Sequence, residues 1–123
     1  MVATQPRPTQ ILIVEDSPDI REVTAEICHC AGLSTALACN GEEALRFLAD
    51  HPAPRVILLD LMMPVMDGTE FRRRQLALPE LARIPVVVLT AAITRPAREF
   101  AGVPMLRKPI EIDTLLDTLR RYC

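Results

Sequence analysis

A chain of 123 residues is the size of one domain, long enough to bury about two-thirds of its unfolded surface around a single core. Half of its residues are apolar and only 3% are aromatic, so the core must be built from Val, Ile, Leu, Ala and Met; the formal charge of −2 argues against the basic footprint of a nucleic-acid binder. No apolar run reaches the roughly eighteen residues of a membrane span, and no basic-then-apolar leader opens the chain, so a soluble cytoplasmic protein is expected.

Residues 1–9, with Pro6 and Pro8, read as a flexible N-terminal tail, and one domain is expected over 10–123. Ile11-Leu12-Ile13-Val14 is the first of several short apolar runs that lack alternation, which predicts strands buried on both faces. Strands are predicted at 10–14, 33–37, 56–60, 85–89 and 104–107. Helical patterns separate them. Ser17-Pro18 is a cap followed by a first-turn proline; Ile20, Val23, Ile27 and Cys30 then recur at helical spacing until Gly32 stops the helix. Asn40-Gly41 marks a turn before a helix over 42–49, with Ala44, Leu45 and Leu48 on one face. Asp67-Gly68 precedes a helix from Thr69 to about Leu76, on which Arg72-Arg73-Arg74 read as a solvated face. Pro96, Gly102 and Pro104 leave room only for a short fourth helix, about 96–101. The last helix, about 111–121, carries Ile112, Leu115, Leu116 and Leu119 on one face, with Tyr122 just beyond. A strand–helix unit repeated five times gives an α/β, doubly wound (βα)5 fold: a parallel sheet with helices on both faces.

Cys28, Cys30, Cys39 and Cys123 show no CxxC spacing, and disulfides are not expected. Cys28-His29-Cys30 looks like a metal cluster, but consecutive helical residues point about 100° apart and cannot converge on one ion. His51, beside Pro52, reads as a loop residue.

The residues with chemistry stand at strand ends. Glu15-Asp16 follows the first strand, Asp60 closes the third and Thr90 follows the fourth; Lys108, the one lysine beside thirteen arginines, follows the fifth. In an open parallel sheet the ligand sits beyond the carboxyl ends of the strands. Carboxylates converging there repel one another and need a cation, and an oxygen-only set suits a hard ion such as Mg²⁺. Taken singly, Glu15-Asp16 could be an acid pair at a helix N-terminus and Asp60 a strand-end cap. Their arrival from separate strands, together with the lone lysine, favours a shared site. The lysine's compact ammonium can enter a confined acidic pocket that a guanidinium fork cannot.

Six motifs in order carry a resemblance: Ile11-Leu-Ile-Val-Glu-Asp16, Asn40-Gly-Glu-Glu-Ala-Leu45, Ile57-Leu-Leu-Asp-Leu-Met-Met-Pro64, Met66-Asp-Gly68, Ile84-Pro-Val-Val-Val-Leu-Thr-Ala91 and Lys108-Pro109. Over about residues 10 to 121 the chain resembles the receiver domain of bacterial two-component response regulators. The resemblance implies a CheY-like, flavodoxin-like sandwich with strand order 2-1-3-4-5. It implies that Asp60 takes a phosphoryl group from a sensor histidine kinase or a histidine phosphotransfer protein. Asp16, Asp60 and the main-chain carbonyl of Met62 would hold Mg²⁺, with Glu15 acting mainly through water. Thr90 and Lys108 would meet phosphoryl oxygens, and Pro109 would follow a cis bond. The protein is then a regulatory phosphoacceptor rather than an enzyme, acting on a downstream protein target, with no part for nucleic acid or membrane. No effector follows Cys123 in this sequence, so output is expected through partner binding or relay, unless the chain is an excised domain.

Three departures stand out. Met105 occupies the place of the usual aromatic three residues before the lysine, and the stretch from Ala91 to Arg107 is short. Met62 and Ala92 offer no acid or amide to orient an attacking water. A scaffold that binds partners without phosphate is the competing function. A Mg²⁺ phosphatase of the haloacid-dehalogenase type is a further one, but it needs a second Asp two residues after the nucleophile, where this chain has Met62.

Overall fold

The computed structural model describes residues 8–91 and 97–123. Five strands, β1 (Ile11–Val14), β2 (Thr35–Ala38), β3 (Val56–Leu59), β4 (Val86–Thr90) and β5 (Met105–Arg107), form one parallel sheet in the order β2-β1-β3-β4-β5. Each falls within two residues of its predicted span. The helices are α1 (Pro18–Cys30), α2 (Gly41–Asp50), α3 (Gly68–Ala77), a single turn α4 (Pro79–Ala82) and α5 (Ile112–Arg120). Most of the expected tail, residues 1–7, lies outside the described residues, while the Pro8 carbonyl accepts from Ser34 Oγ at 2.7 Å.

The unbroken apolar runs have the role that the lack of alternation predicts. Every residue of β1, β3 and β4 is buried. Successive side chains point to opposite faces of the sheet. Leu12, Val14, Ile57, Leu59, Val86 and Val88 therefore pack with Ala44, Leu48 and Phe71 of α2 and α3. Ile11, Ile13, Val56, Leu58, Val87 and Leu89 pack with Ala25, Cys28, Leu115 and Leu119 of α1 and α5. Two cores on one sheet fix the strands tightly and aim their carboxyl ends at one rim.

The expected face of α1 is corrected. Its buried residues are Thr24, Ala25 and Cys28, whereas Val23 is 53% exposed and Cys30 lies outside. Small residues let the helix axis approach the sheet, and the larger Ile20 and Ile27 flank the contact; the Thr24 hydroxyl is satisfied by the Ile20 carbonyl at 2.6 Å. Ile112 is likewise exposed at the first turn of α5, so the inner face there is Leu115, Thr118 and Leu119. Cys28 points inward while His29 and Cys30 are exposed, so the three do not converge; all four cysteines are free. His51 caps the end of α2 and stacks on Phe47, with ring centroids 4.1 Å apart.

The short fourth helix expected over 96–101 is, among the described residues, a single 3-10 turn at Arg98–Phe100; Pro96 and Ala92 lie outside them. Ala97 is extended and Phe100 is buried in the core. The arginine run is also corrected. Arg73 and Arg74 pair with Glu70 on the surface, but Arg72 turns back: its Nε donates to the Glu99 carbonyl at 3.1 Å and its Nη1 to Gln75 Oε1 at 2.9 Å. Gln75 is fully buried and donates to the carbonyls of Leu81 and Ile84 at 2.9 and 3.0 Å. This polar chain joins α3 to α4 and to the 3-10 turn.

Candidate functional site: an acidic rim with one lysine

Strand order reverses direction on either side of β1, and the crevice this opens lies at the carboxyl ends of β1 and β3. Backbone bonds carry the ladder one residue past each strand. The Glu15 N–H donates to Ala38 O at 3.0 Å, the Asp60 N–H to Val14 O at 2.9 Å and the Lys108 N–H to Thr90 O at 2.9 Å. Glu15 and Asp60 therefore leave the sheet side by side after buried strands, and Lys108 follows β5 two residues beyond their level.

The structure brings together carboxylate oxygens of Glu15, Asp16 and Asp60 within 4.8 Å of one another. Glu15 and Asp60 are buried, and Asp16 is the more open of the three. Lys108 reaches in from β5: its Nζ lies 2.6 Å from Glu15 Oε1 and 3.5 Å from Asp60 Oδ2. The Met62 N–H donates to Asp60 Oδ1 at 3.3 Å. Thr90 is fully buried at the end of β4. The Lys108–Pro109 bond is cis. Met105 is partly buried against the α2–α3 core cluster rather than part of this group.

The electrostatics are those of a crowded anionic site. Burial pushes the Glu15 carboxyl up to about 7; the Lys108 ammonium opposes this and the neighbouring Asp60 carboxylate adds to it. Burial works against the Lys108 charge, but the two carboxylates together outweigh it and hold its pKa above the ordinary lysine value. One ammonium does not neutralise three acids. The oxygen-only donor set fits a hard divalent cation, and among the described residues this is the group of acids able to hold one.

Three supporting residues escaped the sequence reading. The Ser17 N–H donates to Glu15 Oε2 at 3.3 Å, so the α1 cap residue also orients an acid of the site. Arg21 of α1 donates to the carbonyls of Glu15 and Asp16. At Gly68 a Cβ would lie 2.6 Å from the Asp60 carbonyl oxygen, so α3 starts this close to Asp60 only with glycine. The Asp67-Gly68 pair was visible in the sequence as a turn; its contact with Asp60 was not. Between them the Met66 N–H bonds to Pro64 O at 2.7 Å across Val65, whose φ is +68°, a tight three-residue turn in its strained form.

The family model of the response regulator receiver domain matches residues 11–120. The chain belongs to the response regulator receiver family. Sporulation initiation phosphotransferase F of Bacillus subtilis is 32% identical over 117 residues, which cover 92% of this chain and 92% of that protein. Polar-differentiation response regulator DivK of Brucella anthropi is 28% identical over 119 residues, covering 94% and 96%. Among solved structures, the Vibrio cholerae chemotaxis protein CheY4 superposes with a TM-score of 0.84 at 30% identity, covering 95% of this chain and 100% of that one. The receiver domain of a sensor histidine kinase from Pseudomonas aeruginosa was solved with a magnesium ion coordinated in its active site cleft; it matches with a TM-score of 0.82 at 31% identity, covering 94% and 98%. Receiver domains are regulatory phosphoacceptors of two-component signalling that interact with histidine kinases and phosphotransfer proteins, and the present chain is such a phosphoacceptor receiver. No helix among the described residues is long and apolar enough to cross a membrane.

Proposed function

We propose that Asp60 is the phosphoacceptor, with Thr90 and Lys108 as its supporting groups, and that the phosphorylated chain signals by binding a protein partner. The observation that carries the reading is the convergence of Glu15, Asp16 and Asp60 with Lys108 Nζ 3.5 Å from Asp60. In the reaction an Asp60 carboxylate oxygen attacks phosphorus. The bond from phosphorus to the donor's imidazole nitrogen breaks, the imidazole leaves, and an aspartyl phosphate forms. The Lys108 ammonium, already between Glu15 and Asp60, would face one phosphoryl oxygen, and the hydroxyl of Thr90 at the end of β4 would meet another.

Asp16, Asp60 and the main-chain carbonyl of Met62 would hold Mg²⁺, with Glu15 acting through water. The ion would supply charge neutralisation at the phosphoryl oxygens. The donor would be a phosphohistidine of a sensor kinase or of a phosphotransfer protein, and output would pass to a downstream protein. The cytoplasm is the compartment that such a donor requires.

The test is mass spectrometry after incubation with acetyl phosphate and Mg²⁺. A phosphoryl-mass adduct is expected in the parent and absent in Asp60→Asn. An unmodified parent, or an adduct that survives Asp60→Asn, overturns the assignment and leaves the phosphate-independent scaffold as the better reading.

A further inference from the structure

We infer that Arg21 is a positioning residue for the Glu15–Asp16 pair, an inference that rests on the metal role proposed above. A cation is out of place where Arg21 sits. The first turn of a helix is the positive end of its dipole and favours acids, which suits Asp19 but not an arginine. Helical side chains lean back towards the N-terminus. The Arg21 side chain does so, and its Nη1 donates to the main-chain carbonyl of Glu15 at 2.9 Å and to that of Asp16 at 3.4 Å. One guanidinium nitrogen thereby fixes two successive peptide groups in the turn from β1 to α1.

The two acids differ in how else they are held. The Glu15 carboxylate is pinned by the Ser17 N–H at 3.3 Å and by Lys108 at 2.6 Å. The Asp16 carboxylate has no hydrogen-bond or ion-pair partner among the described residues, so the contact that holds this residue at the rim is the one to its main chain. A ligand oriented only through its backbone depends on whatever orients that backbone. Outer contacts of this kind tune metal affinity without touching the ion.

Arg21 exerts two opposed effects on a divalent cation. Its charge repels the ion, while its hydrogen bonds hold Asp16 in the binding direction. The guanidinium is partly exposed and sits on the carbonyl side of the turn, where water and salt screen its charge. The geometric effect is not screened, so it outweighs the charge.

The experiment titrates Mg²⁺ into the metal-free protein and follows the backbone amide resonances of Asp16 and Met62. It compares the parent with Arg21→Met, Arg21→Lys and a control, Arg46→Met, on the exposed face of α2. Arg21→Met is expected to weaken Mg²⁺ by about ten-fold, with a metal-free melting temperature close to the parent's. Arg21→Lys should fall between the two, and Arg46→Met should match the parent. Mg²⁺ binding in Arg21→Met as tight as in the parent, or tighter, overturns the inference. So does a lowered melting temperature with unchanged Mg²⁺ affinity, which would make Arg21 a helix staple only. If Arg21→Met does not fold, Arg21→Lys decides: weaker binding despite the retained charge supports the inference, and unchanged binding overturns it. A parent whose Asp16 and Met62 amides do not respond to Mg²⁺ overturns the metal reading, and this inference with it, before any substitution is compared.

Discussion

The two polar clusters of this molecule lie on opposite terms with their surroundings. At the rim, one ammonium meets Glu15 and Asp60, and the nearby Asp16 carboxylate adds a further negative charge. Under α3, Gln75 is just as buried, yet its amide protons meet the carbonyls of Leu81 and Ile84 and its oxygen accepts from Arg72. Both amide atoms of Gln75 have partners, and the cluster closes α3 onto α4 and ties the 3-10 turn at Arg98–Phe100 through Glu99. The first cluster carries three acids against one ammonium, an excess of negative charge that a divalent cation would offset. Unmet electrostatic need marks the site; satisfied polarity marks the scaffold.

The largest effect is expected where the scaffold cluster is broken. Gln75→Leu keeps roughly the same volume but takes their amide partner from the buried Ile84 carbonyl and from Arg72 Nη1, while the Leu81 carbonyl keeps the Ile84 N–H and Arg72 Nε keeps the Glu99 carbonyl; it should destabilise the protein by about 1–3 kcal/mol. Urea denaturation measures it, with phosphorylation by acetyl phosphate retained in the folded fraction. A loss below about 1 kcal/mol would mean that water replaces the amide, and the contrast between the clusters would fail.

The sequence exposed one cluster and hid the other, for a physical reason. Strand-end acids are legible because an unbroken apolar run followed by a polar residue marks both the strand and the rim it points to. Four such ends implied the rim, and the registers of β1 with β3 and of β3 with β4 then place Glu15, Asp60 and Thr90 at one edge. Gln75 and Arg72 carry no such mark. Their partners are main-chain carbonyls up to 27 residues away, which any residue type can present. The α1 face was misread for a related reason: Thr24, Ala25 and Cys28 are small, so the period of larger aliphatic residues at 20, 23 and 27 dominated the pattern although it flanks the contact.

A second prediction uses pH to expose the unmet charge. Folding raises the Glu15 pKa from 4.5 to about 7, so the folded state favours its protonated form. That contribution to stability is complete below the unfolded value and is lost as pH rises through about 7. The metal-free protein should therefore lose stability from this group between about pH 5 and about pH 8, and Glu15→Gln should remove that part of the slope. Denaturation curves at the two pH values provide the check. An equal slope in Glu15→Gln would place the strain on another group.

Val65 sharpens the comparison from the backbone side. It is 78% exposed, makes no core contact, and is held at φ +68° in the loop between Asp60 and α3. A β-branched residue is disfavoured there, and Val65→Gly should stabilise the protein by about 1 kcal/mol, read as a higher urea midpoint. No comparable strain is present in the Gln75 cluster, so an equal gain from relaxing a surface residue of α3 would erase the distinction.

The smallest expected change in stability belongs to Asp16→Ala, and it is the most discriminating. Asp16 is the most open of the three acids, has no side-chain partner among the described residues, and lies close to two like charges. Removing its carboxylate deletes repulsion and no contact, so metal-free stability should stay level or rise by up to about 1 kcal/mol. The same substitution should abolish Mg²⁺-dependent phosphorylation, because the ion loses a direct oxygen ligand. Function lost at no cost in stability is the signature of a group retained for a ligand, whereas Gln75→Leu should show the reverse. A clear fall in metal-free stability in Asp16→Ala would make this acid structural. The rim would then resemble the scaffold cluster, and the metal role proposed for Asp16 would be withdrawn.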